Sequence, residues 1–316
     1  MTEARAFWVV APGRGELRSE TLPPVDATQR LVRTLASGVS RGTEALVFAG
    51  RVPQSQYETM RAPLMAGSFP FPVKYGYCAV GLADGRRVFV LHPHQDAFLA
   101  PATMCIPVPD CVPTDRAVLA ANMETALNLT WDAAPLPGER VLVIGAGVVG
   151  LLAASLLARI PAARVTMTDT DPKRAALAHQ FGCAFTAPEA APRDQELVVH
   201  ASASEAGLRL ALDCAAFEAR IVEASWYGDV APSLPLGEAF HARRLRIIAT
   251  QVGAVAPPMR GRRSHAERLA IALDLLGDGR YDALLDGPTR FEDMPGAMPR
   301  ILAPGGLCHV ITYGTE

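Results

Sequence analysis

At 316 residues, half of them hydrophobic and 20% charged, the chain is long enough for two domains of roughly 150 residues each and is too apolar to be disordered. Lys and Arg number 30 against 32 Asp and Glu, and a net charge of −2 offers no basic field for nucleic acid or an anionic membrane. Small-molecule chemistry is the broad class that remains. The six cysteines (Cys78, Cys105, Cys111, Cys183, Cys214, Cys308) are scattered without a C-x-x-C pair, so they read as reduced core thiols and not as a disulfide framework or a four-thiolate zinc lobe. The opening MTEARAFWVV lacks a basic region, a long apolar stretch and a cleavage site, and a cytoplasmic location is the expectation.

Short β-rich runs come first, over residues 7–11, 30–35, 87–91 and 104–108, broken by Pro and Gly and with little helical periodicity. Residues 50–72 carry Pro53, Pro63, Pro70 and Pro72 among Tyr57, Phe69 and Phe71, and read as a long loop with at most one helical turn. From Asp115 the pattern turns helical up to Trp131, where Pro135 and Pro137 end it. Strand and helix then alternate. Strands are expected at 140–144, 164–168, 196–201, 220–223 and 245–251, and helices at 148–160, 172–181 and 205–211, which is the order of a parallel sheet covered on both faces. A helix over 264–276 and a strand over 308–313 follow a Pro/Arg-rich loop at 255–263.

The uncharged run 141–158 imitates a membrane span, but it holds three glycines, is flanked by Glu139, Arg140 and Arg159, and changes from β-rich to Leu/Ala-rich midway. A buried strand, a tight turn and a buried helix account for it. Its centre, Gly145-Ala146-Gly147-Val148-Val149-Gly150, matches G-x-G-x-x-G in the context that motif needs, after a strand and before a helix. Gly145 serves the turn, Gly147 the approach of a diphosphate and Gly150 the packing of helix on strand, while the helix N-terminus attracts the phosphates. About 20 residues on, Asp169 closes the next strand, where a carboxylate accepts both hydroxyls of the adenosine ribose. A 2′-phosphate would meet like charge there, so NAD(H) is expected over NADP(H).

A β-rich N-terminal part, a Rossmann unit starting near residue 122 and a C-terminal return resemble the medium-chain dehydrogenase/reductase superfamily, the alcohol dehydrogenase-like proteins. The segments that carry the resemblance are Ser37-Gly38-Val39-Ser40-Arg41-Gly42-Thr43-Glu44, Lys74-Tyr75-Gly76-Tyr77, Glu124-Thr125-Ala126-Leu127, the glycine loop with Asp169, and the ending from Gly305 to Gly314. It implies an α/β fold, a doubly wound Rossmann sheet with a β-rich GroES-like substrate domain. The expected division is 1–121 catalytic, 122–253 NAD-binding and 254–316 returning to the catalytic domain. It also implies a homodimer formed by pairing of Rossmann edge strands near residues 243–251.

Members with catalytic zinc have a Cys where this chain has Ser40, Gly-His-Glu where it has Gly76-Tyr77-Cys78, and a Cys or Asp where it has Ala120 and Ala121. The resemblance is therefore to a zinc-free branch, with no metal-ligand set. The wording Ser-Arg-Gly-Thr-Glu, Ala224-Ser225-Trp226-Tyr227-Gly228 and Phe240-His241-Ala242-Arg243-Arg244-Leu245 is closest to the bacteriochlorophyllide a dehydrogenase-like subgroup, which oxidises a hydroxyethyl side chain with NAD. Carried over residue by residue, Arg41 matches a contact to the cofactor diphosphate, Thr125 a threonine near the nicotinamide and Arg174 a basic residue beside the ribose acid. Arg41 and Arg174 read equally as surface charges, and Thr125 as a helix hydroxyl bonded to its own backbone.

Hydride transfer to a carbonyl needs a proton partner, and without zinc a side chain must also polarise the oxygen. Tyr77, at a zinc-ligand position, is the first choice, with Lys74 expected to lower its pKa. Glu124 follows, as a buried acid of raised pKa or else an exposed helix acid. Next come Glu44 and the pair His92 and His94, whose spacing would also suit half a metal site or a polar surface loop. Trp226 and Tyr227 would form a flat aromatic wall for substrate, or else pack in the core. The expected activity is zinc-independent, NAD(H)-dependent hydride transfer between nicotinamide and a secondary alcohol or ketone. The alternatives are a zinc-free quinone or enoyl reductase, against which Asp169 counts, and a non-catalytic dinucleotide-binding protein.

Overall fold

The computed structural model describes residues 2–314, which form two compact units: one holds the chain up to Ala121 and again from Leu269, the other is Asn122–Arg268. In the first unit β1 (Thr2–Ala11) and β2 (Arg14–Leu22) make an antiparallel hairpin in register from Thr2↔Leu22 to Ala11↔Arg14. Next come β3 (Gln29–Val39), α1 (Arg41–Phe48), the short strands β4 (Ala66–Gly67) and β5 (Val73–Lys74), and the hairpin β6 (Ala79–Ala83) to β7 (Arg86–Val90). That hairpin turns on Asp84-Gly85, both at positive φ, as the tight turn joining two right-twisted strands requires. β8 (Ala97–Pro101), β9 (Ile106–Pro107) and α2 (Thr114–Ala117) complete this stretch.

α3 (Ala120–Ala133) leads into the second unit, where strand and helix alternate: β10 (Arg140–Ile144), α4 (Val148–Leu157), β11 (Arg164–Thr168), α5 (Ala175–Gln180), β12 (Ala184–Thr186), β13 (Gln195–His200), α6 (Glu205–Cys214), β14 (Ala215–Glu223) and β15 (Arg246–Ala249). All six strands are parallel, in the order β12-β11-β10-β13-β14-β15. This is the doubly wound order, with its reversal between β10 and β13. Leu151, Leu152, Ala153, Ala154 and Leu157 on α4 are all buried, so the uncharged run is a core strand and a core helix joined by the glycine turn.

The chain returns through α7 (His265–Leu275), β16 (Leu285–Arg290), α8 (Met294–Ile301) and β17 (Cys308–Thr312). β17 lies antiparallel to β3 and parallel to β16, so the last strand completes a sheet ordered β16-β17-β3-β6-β7-β9, with β8 also on β3; a second sheet runs β2-β1-β5-β4.

Several elements differ from the sequence reading. Residues 254–268 belong to the second unit and not to the return, because the Ala256 N–H bonds to Asn128 and the Arg268 side chain is anchored there. The helix expected over 115–131 is two helices, α2 and α3. β2, α1, β16 and α8 were not expected. β2 places Arg14, Glu16, Arg18 and Glu20 at alternate positions on one face and has only Leu17 and Leu22 as large apolar residues, and α8 (MPGAMPRI) holds two prolines and a glycine yet buries Met294, Met298 and Ile301. Four of the free cysteines are buried as expected; Cys105 is half-buried and Cys111 is exposed.

Candidate functional site

β10 runs into Gly145, whose φ of +104° only glycine adopts without strain and whose N–H bonds to the Thr168 carbonyl on β11. A Cβ on Gly150 would collide with the carbonyl oxygen of Gly145, so helix and turn are packed as closely as backbone allows. At Gly147 a Cβ would meet nothing within 4 Å. Gly147 caps α4, with Val148 and Val149 half-buried in its first turn, and among the described residues no side-chain hydrogen bond caps the helix N-terminus. Asp169 Oδ2 accepts from the Ala146 N–H at 2.7 Å and Oδ1 from the Asp171 N–H at 2.8 Å. The carboxylate is thus fixed against the loop while each oxygen keeps a further lone pair. Arg174 Nε lies 3.6 Å from Asp171 Oδ2, in the turn that Asp169 begins.

On the other side of β10 a cluster absent from the sequence reading gathers at the ends of β13 and β14. His200 and Glu223 are register partners, and Nδ1 of the fully buried His200 donates to Glu223 Oε2 at 2.7 Å. Nε2 lies 2.7 Å from Ser202 Oγ, which is 2.8 Å from Ser204 Oγ. Glu223 also accepts from the Ser225 N–H at 2.7 Å and the Tyr227 hydroxyl at 3.1 Å. A sequence signal was present: Val-His-Ala-Ser at 199–202 and Val-Glu-Ala-Ser at 222–225 put the same spacing on two strand ends.

The first unit holds a second imidazole between a carboxylate and a serine. His94 Nε2 donates to Glu44 Oε2 at 3.0 Å and Nδ1 takes the Ser37 hydroxyl at 2.7 Å, with Tyr313 Oη 2.8 Å from Ser37 Oγ. Glu44 Oε1 accepts from the Ser40 N–H at 2.7 Å, and Ser40 Oγ accepts from the Tyr77 hydroxyl at 2.7 Å. Tyr77, Glu44 and His94 therefore belong to one buried network with Ser37, Ser40 and Tyr313. Burial pushes the Tyr77 phenol well above its ordinary value of 10.0, with Tyr75 and Cys78 adding to the rise against hydrogen bonds from Ser40 and Thr43.

The alanine dehydrogenase/PNT C-terminal domain family model matches residues 132–217. An L-threonine 3-dehydrogenase of Rhizobium rhizogenes is 38% identical over 84 residues, 26% of this chain and 24% of that protein, so the chain matches about a quarter of that relative's length. Among solved structures, a protein of Sinorhizobium meliloti named as a zinc-binding dehydrogenase and bound to NADP has a TM-score of 0.79 at 16% identity, over 99% of this chain and 100% of that one. Acetophenone reductase of Geotrichum candidum in complex with NAD has a TM-score of 0.76 at 16% identity, over 98% and 97%. The fold is that of these dehydrogenase and reductase structures.

The remaining expected residues take varied places. Lys74 does not reach Tyr77; its ammonium bonds to Glu20 at 3.1 Å and Gln95 at 2.8 Å, and the phenol rises instead of falling. His92 and His94 form no half-site. His92 stacks on Phe98 at 3.6 Å and donates to the Pro93 carbonyl, and burial takes its pKa down to about 3. Among the described residues no group of three or more His, Cys, Asp and Glu could hold a metal ion.

Glu124 is not an exposed acid: it is buried and pairs with Arg268 at 3.0 Å, burial pushing the carboxyl up against the pull of the guanidinium. Arg41 donates to the carbonyls of Leu302 and Ala303, and Thr125 is half-buried in α3. Trp226 and Tyr227 are both half-buried after β14, Tyr227 packing against the core of the second unit with its hydroxyl on Glu223. Among the described residues no helix is long and apolar enough to cross a membrane.

Proposed function

We propose that the protein is a zinc-independent, NAD(H)-dependent oxidoreductase interconverting a secondary alcohol and a ketone, with Tyr77 as proton donor. The observation that carries this reading is the Tyr77 to Ser40 hydrogen bond, which puts two hydroxyls where zinc-binding members of the superfamily carry Cys and His. These residues do not suit zinc. Thiolate, imidazole or carboxylate is required, and a phenol whose ionisation is pushed up resists becoming an anionic ligand.

The residues of the second unit do suit a dinucleotide. The N-terminus of α4, which has no side-chain cap, and the open space over Gly147 would take the diphosphate, and Asp169, held by the Ala146 N–H, would take the adenosine ribose. Arg174 would add positive charge, and Thr125 would stand by the nicotinamide. A bound nicotinamide supplies or takes up the hydride. Tyr77, kept protonated by its raised pKa, turns its hydroxyl hydrogen from Ser40 to the substrate oxygen and then passes that proton to the forming alkoxide. Ser40, 2.7 Å away, then donates to the phenolate, and Glu44 with His94 fixes the Ser40 loop from behind. Ile247 is exposed on β15, the outer strand of the parallel sheet, which supports a homodimer by strand pairing.

The test is turnover of a panel of aryl and alkyl ketones with NADH after metal removal verified by elemental analysis. The expected result is unchanged activity, and a roughly 100- to 10,000-fold loss of kcat in Tyr77→Phe with NADH affinity retained. Activity that disappears on chelation and returns with zinc contradicts the reading.

A further inference from the structure

We propose that Ser202 contacts the nicotinamide-side ribose of a bound dinucleotide, and that the buried His200–Glu223 pair is the positioning device for its hydroxyl. The inference rests on the dinucleotide reading above and extends it to residues outside the glycine fingerprint. The topology supplies the first step. In a doubly wound sheet the ligand spans the crevice at the strand-order reversal, here between β10 and β13. Asp169 ends β11 on one side of β10 and is matched to the adenosine ribose, so the other half of the ligand falls to the side where β13 ends. Ser202 stands there, against the first glycine of the loop: a Cβ on Gly145 would lie 2.8 Å from the Ser202 nitrogen.

Hydrogen-bond directions supply the second step. The Gly207 N–H donates to Ser204 Oγ at 3.0 Å, which leaves the Ser204 hydrogen for Ser202 Oγ. Glu223 accepts the hydrogen on His200 Nδ1, and in that tautomer Nε2 takes the hydrogen of Ser202. Ser202 is exposed while His200 is not, and its oxygen is left with one lone pair for an outside donor. A ribose hydroxyl is such a donor. The space is kept by Gly207, where a Cβ would lie 2.7 Å from His200 Nε2. A serine needed only to cap α6 would not require a buried imidazole and a carboxylate behind it, since Ser204 already caps that helix.

The test uses the full-length protein and follows NADH fluorescence on binding, with ADP, which lacks the second ribose, measured by displacement. Ser202→Ala is expected to raise the NADH Kd roughly 2- to 10-fold and leave ADP unchanged, and Ser202→Thr to stay within about 2-fold of the parent. In nitrogen-15-labelled protein the His200 Nδ1 proton is expected at low field, moving upfield in Glu223→Gln and not in Ser202→Ala. The proposal is overturned if Ser202→Ala binds NADH like the parent, if ADP weakens equally, or if Glu223→Gln leaves the imidazole signal in place. Failure of the parent to bind either NADH or ADP would instead remove the dinucleotide reading, and this contact with it.

Discussion

Arg268 shows how much one side chain can organise. Its guanidinium, 1% exposed, bonds to Glu124 at 3.0 Å, Asn128 at 2.6 Å and the carbonyls of Val252 and Ala254 at 2.5 and 3.1 Å. Removing it leaves a carboxylate buried without a partner, so Arg268→Met should lose about 3–5 kcal/mol in urea denaturation. The double variant Glu124→Gln/Arg268→Met should recover a large part of that loss. His92 makes a prediction in pH. Burial lowers its folded-state pKa to about 3 from 6.5, so between those values the unfolded chain binds the extra proton. Its contribution is complete above pH 6.5 and drains as pH falls towards 3, at up to about 1.4 kcal/mol per pH unit. His92→Phe, which keeps the ring stack on Phe98, should show a flatter acid limb in pH-dependent denaturation.

At the scale of elements, the strand, glycine turn and helix from β10 to α4 were legible because each part has a local signature: an apolar run, three spaced glycines and a Leu/Ala stretch. Gly150→Ala should therefore be far more damaging than an alanine in a helix usually is, because its Cβ strikes the Gly145 carbonyl. Thermal denaturation should place it well below Gly147→Ala, where the Cβ meets open space. α8 was not legible, since Pro295, Gly296 and Pro299 argue against a helix and only the burial of Met294, Met298 and Ile301 holds it. His200 and Glu223 escaped for another reason. Their meeting depends on the register of β13 and β14, which the repeated Val-x-Ala-Ser spacing marks at the two strand ends but does not pair. Lys74 was misassigned in the same way: its nearness to Tyr77 in sequence does not survive the path of β5, which turns the ammonium to Glu20.

At the scale of the molecule, the second unit is continuous in sequence while the first is assembled from two stretches. A fragment 122–268 should therefore unfold cooperatively on its own. A fragment 1–121 lacks β17, the strand that pairs with β3 from Ala36 to Val39, and should remain aggregated or disordered by circular dichroism. The sequence reading found the alternation and a start of the second unit near residue 122, but placed the return at 254 because a Pro/Arg-rich loop looks like a boundary. The side-chain bonds of Arg268 carry the second unit past it.

The most direct measurement is a fluorescence titration of the metal-free protein with NADH and, in parallel, NADPH. Asp169 is fixed by the Ala146 and Asp171 N–H groups, and on the proposed reading it accepts ribose hydroxyls and repels a 2′-phosphate. The account predicts NADH binding tighter than NADPH by about 10- to 100-fold, the worth of one charged hydrogen bond. Equal binding of the two, tighter NADPH, or no binding of either would contradict it.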